Sequence, residues 1–288
     1  MTISGDVGFG IQSGLTAATK KSGIDQTTGN IKLTVTEDLG GGMKATAATQ
    51  FDVRGRTSNS AEDTTVDLSG GFGSITIGTV EAGNGIIGRA WAGAPISLTS
   101  GYDNGALLGG AANVDIISYS APAVNGVVVS VKRLDSIGLV DSAGVNGDWQ
   151  ANALDVSYSA GPLNAGVDYT KNYGTSTVSR VRMSANYDLG MAVIGYGTEK
   201  TQNADRMNTF GVKVPMGALT LGVVYAKRAE QKGTAVGANY ALSKRTSINF
   251  STGNINDAAY TAYNTYQTTN SSDYTQKSQS RLALVHTF

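Results

Sequence analysis

A glycine-rich stretch at residues 83–88, GNGIIG, has the spacing of a dinucleotide-binding fingerprint. It follows a strand-like segment, and Asp103 lies twenty residues beyond its first glycine, where that fingerprint places an acidic ribose ligand. The fingerprint also requires a helix within a β-α-β unit of parallel strands. Gly93, Pro95 and Gly101 would interrupt such a helix. We therefore interpret this stretch as a loop and not as a nucleotide site.

His286 is the single histidine, and the chain contains no cysteine. Thiol chemistry, disulfides and Cys/His zinc sites are therefore excluded. His286 lies near the C-terminus on the same parity as Leu284 and Phe288, which predicts an outward position at a strand end, away from any cleft that a catalytic base needs. The acidic pairs at 37–38 and 62–63 lack the spacing of a calcium loop. We expect no catalytic residue, no metal and no cofactor.

The charges balance, with 22 Lys and Arg against 22 Asp and Glu. Nucleic acid is not an expected partner, because such binders carry an excess of positive charge. Glycine accounts for 38 of 288 residues, whereas about 7 % is usual in globular domains. Charged residues make up 15 % of the chain, whereas about 25 % is usual. The chain has 4 prolines, too few for a Pro/Gly-rich disordered chain. No apolar run reaches about 18 residues, which excludes a transmembrane helix.

Apolar residues recur at every second position, the period of a β-strand. The clearest segment is 180–189, where Val181, Met183 and Tyr187 alternate with polar residues. Segments 31–36, 154–159 and 219–228 show the same period. Stretches of about ten residues that alternate in this way are typical of strands that cross a membrane with lipid on one face and water on the other.

Breaks in this alternation are of two kinds. Seven short turns fall at 37–43, 70–74, 120–126, 159–163, 188–191, 214–218 and 242–246. Eight longer polar connections fall at 14–28, 55–63, 81–112, 134–148, 172–177, 199–206, 228–233 and 254–276. This arrangement predicts an all-β fold, a transmembrane antiparallel β-barrel of 16 strands that forms a single domain over residues 1–288, with both termini at the short-turn end.

Tyrosine placement supports a membrane boundary. Tyr119, Tyr158, Tyr187 and Tyr240 each share the apolar parity and lie one or two residues before a short turn. Tyr169 and Tyr225 lie near the opposite strand ends. Aromatic girdles at both interfaces are typical of barrels in the outer membrane.

Several motifs resemble a known family. The last residues, 281–288 (RLALVHTF), form an alternating strand that ends in Phe, like the closing strand of Gram-negative outer-membrane barrels. Residues 240–246, YALSKRT, resemble a turn of the neisserial-type, β-proteobacterial general porins. Residues 118–122, SYSAP, and the opening residues 2–5, TISG, are similar to further motifs of that family, with Ser4 in place of its usual Tyr.

The resemblance implies a trimeric porin in the Gram-negative outer membrane. Its partners would be the surrounding lipid and the small hydrophilic solutes and ions that diffuse through its water-filled channel. It also implies that the long loop at 81–112 folds into the barrel and narrows it. Two alternatives stay open at this point: a secreted β-rich adhesin or β-solenoid, for which we find no fixed repeat, and an outer-membrane enzyme built around His286.

Inward charges at mid-height would control transport. Parity and strand direction select the barrel-wall cations Lys32, Arg54, Lys132, Arg180, Arg182 and Arg281. The inward loop would add Glu81, Arg89 and Asp103. These cations outnumber the acids of the upper lumen, so we expect a mild preference for anions. The first five strands carry no tyrosine and present small outward residues, and we expect the trimer to pack through them and the last strand.

Overall fold

The computed structural model describes residues 1–13, 22–54, 60–81, 87–96, 98, 113–136, 149–174, 177–261 and 277–288. Its strands are β1 (Thr2–Ser13), β2 (Gly23–Gly40), β3 (Met43–Asp52), β4 (Ser60–Gly70), β5 (Gly73–Glu81), β6 (Asn113–Ser120), β7 (Val127–Asp135), β8 (Gln150–Ala160), β9 (Leu163–Tyr173), β10 (Val178–Asp188), β11 (Val193–Thr201), β12 (Met207–Met216), β13 (Leu219–Arg228), β14 (Gln231–Ala241), β15 (Thr246–Ile255) and β16 (Ser278–Thr287). One short helix, α1 (Ile87–Ala90), follows β5, and residues 257–261 form a further helical turn.

The sixteen strands close into one antiparallel barrel in which each strand pairs with its sequence neighbours. Strands β1 and β16 complete the ring, with register from Asp6 opposite Thr287 to Ser13 opposite Ser280. Two further backbone bonds tie the C-terminus to β1: Gly5 donates to the Phe288 carbonyl at 3.1 Å, and Phe288 donates to the Gly5 carbonyl at 3.0 Å. Closure removes the unpaired sheet edges, which confirms the predicted fold class.

The short turns lie where the sequence predicts them. At the turn after β10, for example, the Gly190 N–H donates to the Asp188 carboxylate at 2.7 Å, and Gly190 has a φ of 82°. Glycine adopts this left-handed backbone without steric cost. These turns lie at one end of the barrel together with both termini, and we call this the short-turn end.

Two of the predicted long connections are wrong in extent. Residues 23–28 belong to β2, because pairing with β1 continues past a register shift at Gly8/Phe9. Residues 231–233 belong to β14, and Lys227 pairs directly with Lys232. The connection between β13 and β14 is thus a two-residue turn, in which Ala229 has a φ of 49°.

The two faces of the barrel differ as the alternation predicts. Large apolar side chains are exposed on the outer face, including Val131, Tyr187 and Phe250. Polar side chains, including Arg182 and Ser251, are buried on the inner face. No helix of the described residues is long and apolar enough to cross a membrane. The closed antiparallel ring rules out the β-solenoid alternative.

Candidate functional site: the inner wall of the barrel

Residues 87–96 lie inside the barrel, against the inner faces of β9 to β14. Helix α1 is followed by tight turns in which the Ala92 N–H donates to the Arg89 carbonyl at 3.0 Å and the Ala94 N–H donates to the Trp91 carbonyl at 2.9 Å. Ala90 and Ala92 are buried. The segment therefore packs closely on the wall and does not hang free in the lumen.

Glycines on successive strands form the surface beneath this segment, which we call the glycine seat. Its members are Gly166 on β9, Gly195 and Gly197 on β11, Gly211 on β12, Gly222 on β13 and Gly237 on β14. A Cβ atom at Gly211 would lie 2.4 Å from the Cα atom of Trp91, and one at Gly237 would lie 2.0 Å from the Pro95 carbonyl oxygen. Real Cβ atoms do not approach so closely, so the backbone of the segment can reach the wall because side chains are absent there.

Two polar contacts hold α1 at one end of the glycine seat. The Arg89 Nε donates to the Asn164 Oδ1 at 2.7 Å. The Asn186 side-chain amide donates to the Arg89 carbonyl at 3.1 Å. Arg89 is thus placed on the lumen side as predicted, but its guanidinium contacts the wall at β9.

A small apolar cluster joins the segment to a second inward-folded stretch. It contains Met207, Ala226, Ile255 and Ala259, with Trp91 and Tyr260 packed against it. Ala259 and Tyr260 belong to the helical turn at 257–261. Parts of two long connections therefore cover the same side of the lumen, over β12 to β15.

Buried charges lie on the same side, nearer the long-loop end. The Arg182 Nε donates to one oxygen of Glu199 at 2.7 Å, and an Arg228 Nη donates to the other at 3.0 Å. Arg180 lies two residues before Arg182, on the same face of β10. Its guanidinium stacks over the ring of Tyr173, with 3.7 Å between Cζ and the ring centroid. Arg180, Arg182 and Glu199 are all buried. These predicted pore cations face inward, but little of their surface is exposed.

The predicted cations that are exposed or partly exposed lie on β2, after β3 and on β7. Lys32 is exposed on β2. Arg54 follows β3, is half-exposed and forms an ion pair with Asp52. Lys132 on β7 is about one-third exposed and forms an ion pair with Asp155 on β8. Lys32 and Arg54 therefore lie across the barrel from the glycine seat, whereas Lys132 lies two strands from its edge at β9.

The remaining predicted residues lie apart from both groups. Arg281 on β16 is buried and donates to the Gln12 Oε1 from Nε at 2.8 Å and from Nη2 at 2.6 Å. Glu81 ends β5, but its side chain lies outside the described residues, as do Asp103 and the first four residues of the glycine-rich stretch. The helix that begins within that stretch is four residues long and lies among antiparallel strands, which is incompatible with a dinucleotide fingerprint.

Sequence reasoning missed Glu199, Arg228 and the glycine seat. Glu199 and Arg228 fell at the edges of the predicted connections 199–206 and 228–233, whereas both belong to strands. The seat had a visible signal, because its glycines share the polar parity of consecutive strands. The shared parity identifies a single surface only after the strands are placed side by side.

The buried carboxylate of Glu199 accepts from two arginines, and we expect Glu199→Gln to lower the free energy of unfolding by about 3–5 kcal/mol, because Arg182 and Arg228 would lose the carboxylate that they share. Equilibrium urea unfolding in lipid vesicles measures this change. The matched control is Asp52→Asn at the solvent-exposed pair with Arg54, which should cost at most about 1 kcal/mol. Equal effects of the two variants would contradict this account.

A side chain on the glycine seat should move the segment toward the pore. For Gly211→Val we expect a lower single-channel conductance in planar bilayers, because the new Cβ must displace Trp91 from the wall. The control is Val212→Leu, the next residue of β12 on the outer face, which should conduct like the unmodified protein. Unchanged conductance of a folded Gly211→Val barrel would show that the segment does not restrict the ion path.

Comparison with known proteins supports one family. The family model described as Gram-negative porin matches residues 1–260. No curated protein matches the chain. Among solved structures, an anion-selective porin from Comamonas acidovorans is 20 % identical, covers 100 % of this chain and 99 % of its own, and superimposes with a TM-score of 0.68. A triple mutant of the Rhodopseudomonas blastica porin is 14 % identical with the same coverage and a TM-score of 0.69.

The porin structures share the closed barrel at low sequence identity, so they support the fold alone. The family model supports more, because it covers most of the chain. A channel, and not an enzyme, is what this family and this barrel indicate. The short-turn end with both termini faces the periplasm, and the longer connections face the exterior. The chain belongs to the Gram-negative porin family: it is a multi-pass β-barrel of the outer membrane that forms a channel for small solutes and ions.

Proposed function

We propose that ions cross this porin past the inward cations of β2, β3 and β7, and that the channel mildly prefers anions. Residues 87–96, which belong to the predicted constriction loop 81–112, occupy the wall of β9 to β14. The path beside them is lined by Lys32, Arg54 and Lys132. Fixed charges beside a narrow aqueous path select ions by the sign of their charge, because the surrounding protein has a low dielectric constant.

The observation that carries the anion preference is the state of Lys32. Its ammonium is exposed and forms no ion pair or side-chain hydrogen bond with any other residue in the described part of the chain. Lys32 is therefore a full positive charge that an anion can approach.

The acids of the same wall are engaged. Asp52 binds Arg54, and Asp155 binds Lys132. Asp67 accepts hydrogen bonds from the hydroxyls of Thr65 and Thr76. The ion pairs offset Arg54 and Lys132 as much as Asp52 and Asp155, and Asp67 keeps its charge beside its hydroxyl donors, so the proposed preference depends on the exposed ammonium of Lys32. One solved relative is named an anion-selective porin, and the proposal extends that preference to this chain.

The buried cations act at longer range. Arg180, Arg182 and Arg281 contribute to the potential inside the barrel without direct contact with permeating ions. Glu81 and Asp103 stay predictions for the acidic side of the constriction. The proposal includes no cofactor and no catalytic role. His286 lies at the short-turn end, where its Nδ1 is 2.9 Å from the Thr246 hydroxyl, in keeping with an interfacial position.

We further infer that the outer faces of β1 to β5 and β16 pack against other copies of this chain in a trimer, with membrane lipid around the remaining strands. Small residues, among them Gly5, Ala45 and Ala47, face outward there. Thr49, Thr64 and Thr79 lie directly opposite one another on β3 to β5. Hydrocarbon offers no partner for such a polar row, whereas a neighbouring subunit does.

The charge proposal predicts that changing Lys32 and Lys132 to Glu shifts the zero-current potential in a salt gradient toward that of a cation-selective channel. The physical reason is that two positive charges beside the proposed ion path become negative. Planar-bilayer recordings of the refolded protein measure the shift. The control is Lys244→Glu with Arg245→Glu, an equal charge change in a short periplasmic turn, where salt screens charges beyond about 8 Å. No shift, or an equal shift in the control, would refute the proposed ion path.

The trimer proposal predicts a native mass three times the 29.6 kDa of one chain in mild detergent. Replacing Ala47 and Thr64 with Trp should reduce that mass toward the monomer, because bulky side chains prevent close approach. The same pair of changes at Val223 and Val236, on the outer face of β13 and β14, should leave the assembly intact. A stable monomer of the unmodified protein would overturn the proposal.

A further inference from the structure

Lys213 lies at the border of the glycine seat that faces the short-turn end of the barrel. It follows the seat residue Gly211 by two positions on β12, so both residues face the lumen. Its direct pairing partners are Val193 on β11 and Gly222 on β13. Because β12 runs toward the short-turn end, Lys213 lies on the periplasmic side of the contact between Gly211 and Trp91.

The side chain of Lys213 reaches the inward segment. A Cβ atom at Gly93 would lie 3.4 Å from the Lys213 Nζ and 3.9 Å from its Cδ. Gly93 has a φ of 69°, so the backbone turns at this point and has no side chain toward the lysine. The ammonium of Lys213 therefore lies beside the backbone of residues 87–96, at the edge that faces the periplasm.

The ammonium has no counter-charge in the described part of the chain. Lys213 is half-buried, and it forms no ion pair or hydrogen bond with another described residue. The buried cations nearer the long-loop end differ in this respect, since Arg182 and Arg228 share the carboxylate of Glu199. The positive charge of Lys213 is therefore not offset by the wall around it.

The neighbours of Lys213 on the wall are neutral. We call the inward residues that flank the glycine seat on its periplasmic side the lower border. On five strands each member lies two positions from a seat glycine, and on β10 the member pairs with the residue on β9. The members are Asn164 on β9, Asn186 on β10, Val193 on β11, Lys213 on β12, Thr220 on β13 and Asn239 on β14. Lys213 is the one charged residue of this border.

The segment does not depend on Lys213 for its attachment to the wall. Two side-chain amides of the lower border already hold α1, because Arg89 donates to Asn164 and Asn186 donates to the Arg89 carbonyl. Beyond α1, the backbone rests on the glycine seat. Among the described residues, Lys213 donates to no carbonyl of the segment. Its ammonium is therefore available to a solute.

We propose that Lys213 is a specificity-determining residue of the channel, and that its ammonium binds small anions on the periplasmic side of residues 87–96. An ammonium carries three N–H donors and can be approached by a chloride ion or by a carboxylate oxygen. A charge without local compensation raises the concentration of the opposite ion beside it, most of all next to walls of low dielectric constant. This inference rests on the proposed passage of ions beside the segment, and it adds a cation from the wall that the segment covers.

The absence of cysteine from the chain permits a test in which the charge at this position is changed chemically. Lys213→Cys is prepared as folded full-length protein and recorded in planar bilayers under a potassium chloride gradient. Separate samples are reacted with methanethiosulfonates of similar size that attach an ammonium, a sulfonate or an uncharged group to the new thiol. Mass spectrometry measures the extent of reaction. The zero-current potential gives the ratio of anion to cation permeability.

We expect Lys213→Cys to lower this ratio by about twofold or more, because one uncompensated positive charge is lost beside the path. The ammonium reagent should restore the ratio, the sulfonate reagent should lower it further, and the uncharged reagent should leave it unchanged. Equal effects of the three reagents would overturn the proposal, since they would show that only the volume of the side chain matters. A thiol that no reagent reaches in the folded barrel would also overturn it.

The matched control is Lys44→Cys with the same reagents. Lys44 also faces inward at the short-turn end, but it lies directly opposite Asp38 and does not contact the segment, so the ratio should change much less. A shift as large as that at Lys213 would contradict the proposed role. Lys32→Glu is recorded in parallel. A shift there without one at Lys213 overturns this inference alone, whereas no shift at either position also counts against the proposed ion path.

Discussion

Every backbone N–H and C=O group in a membrane must find a partner within the protein, because hydrocarbon supplies none. In this chain the requirement is met by the ring of sixteen paired strands, which β1 and β16 complete from Asp6–Thr287 to Ser13–Ser280. The terminal residue takes part in this closure, since Phe288 both donates to and accepts from Gly5. Because the ring is closed, each strand side chain points either outward or into the lumen, and the alternating pattern of apolar and polar residues follows from this.

The inner face of the barrel has two parts, which differ in whether glycines leave room for a loop segment. Where glycines follow one another across β9 to β14, the backbone of residues 87–96 lies directly on the wall, and Trp91 extends that contact toward the helical turn at 257–261. Arg182 and Glu199 are buried on the same side, where Glu199 accepts from both Arg182 and the half-buried Arg228. No segment of the described residues covers the inner face of β2 and β3 in this way, and Lys32 and Arg54 are exposed there. The asymmetry of the channel is thus a consequence of packing, not of net charge, which is zero.

The outer face is divided around the barrel in a corresponding way. Strands β1 to β5 carry no tyrosine, and hydroxyl-bearing residues lie among their exposed apolar residues such as Phe9 and Ile77, with a direct hydrogen bond of 2.9 Å between Thr49 and Thr64. Strands β8 to β14 each carry an outward aromatic residue, and on β9 and β13 the basic residues Lys171 and Lys227 follow it toward the strand end. A surface that meets protein can be polar where its partner is polar, whereas a surface that meets lipid must change from apolar to charged within the width of the headgroup region. The two sectors of this barrel follow those separate rules.

The sequence by itself determined the strand number, the seven short turns and the face to which each strand residue points. These features are local: a period of two, a Gly or Pro at a turn, and a tyrosine before it are all visible along the chain. The positions of the strand ends were harder to predict from the sequence. Strand β2 extends through a register shift and β13 joins β14 by two residues, and both features depend on pairing with a neighbouring strand. Glu199 and Arg228 were missed for that reason. Only the tertiary structure decided which inward cations are exposed. Arg180 and Lys32 have the same parity and the same charge, but one is stacked on Tyr173 on the wall that carries the glycine seat and the other faces open water, because burial depends on what packs across the lumen and not on the residues beside them in the chain.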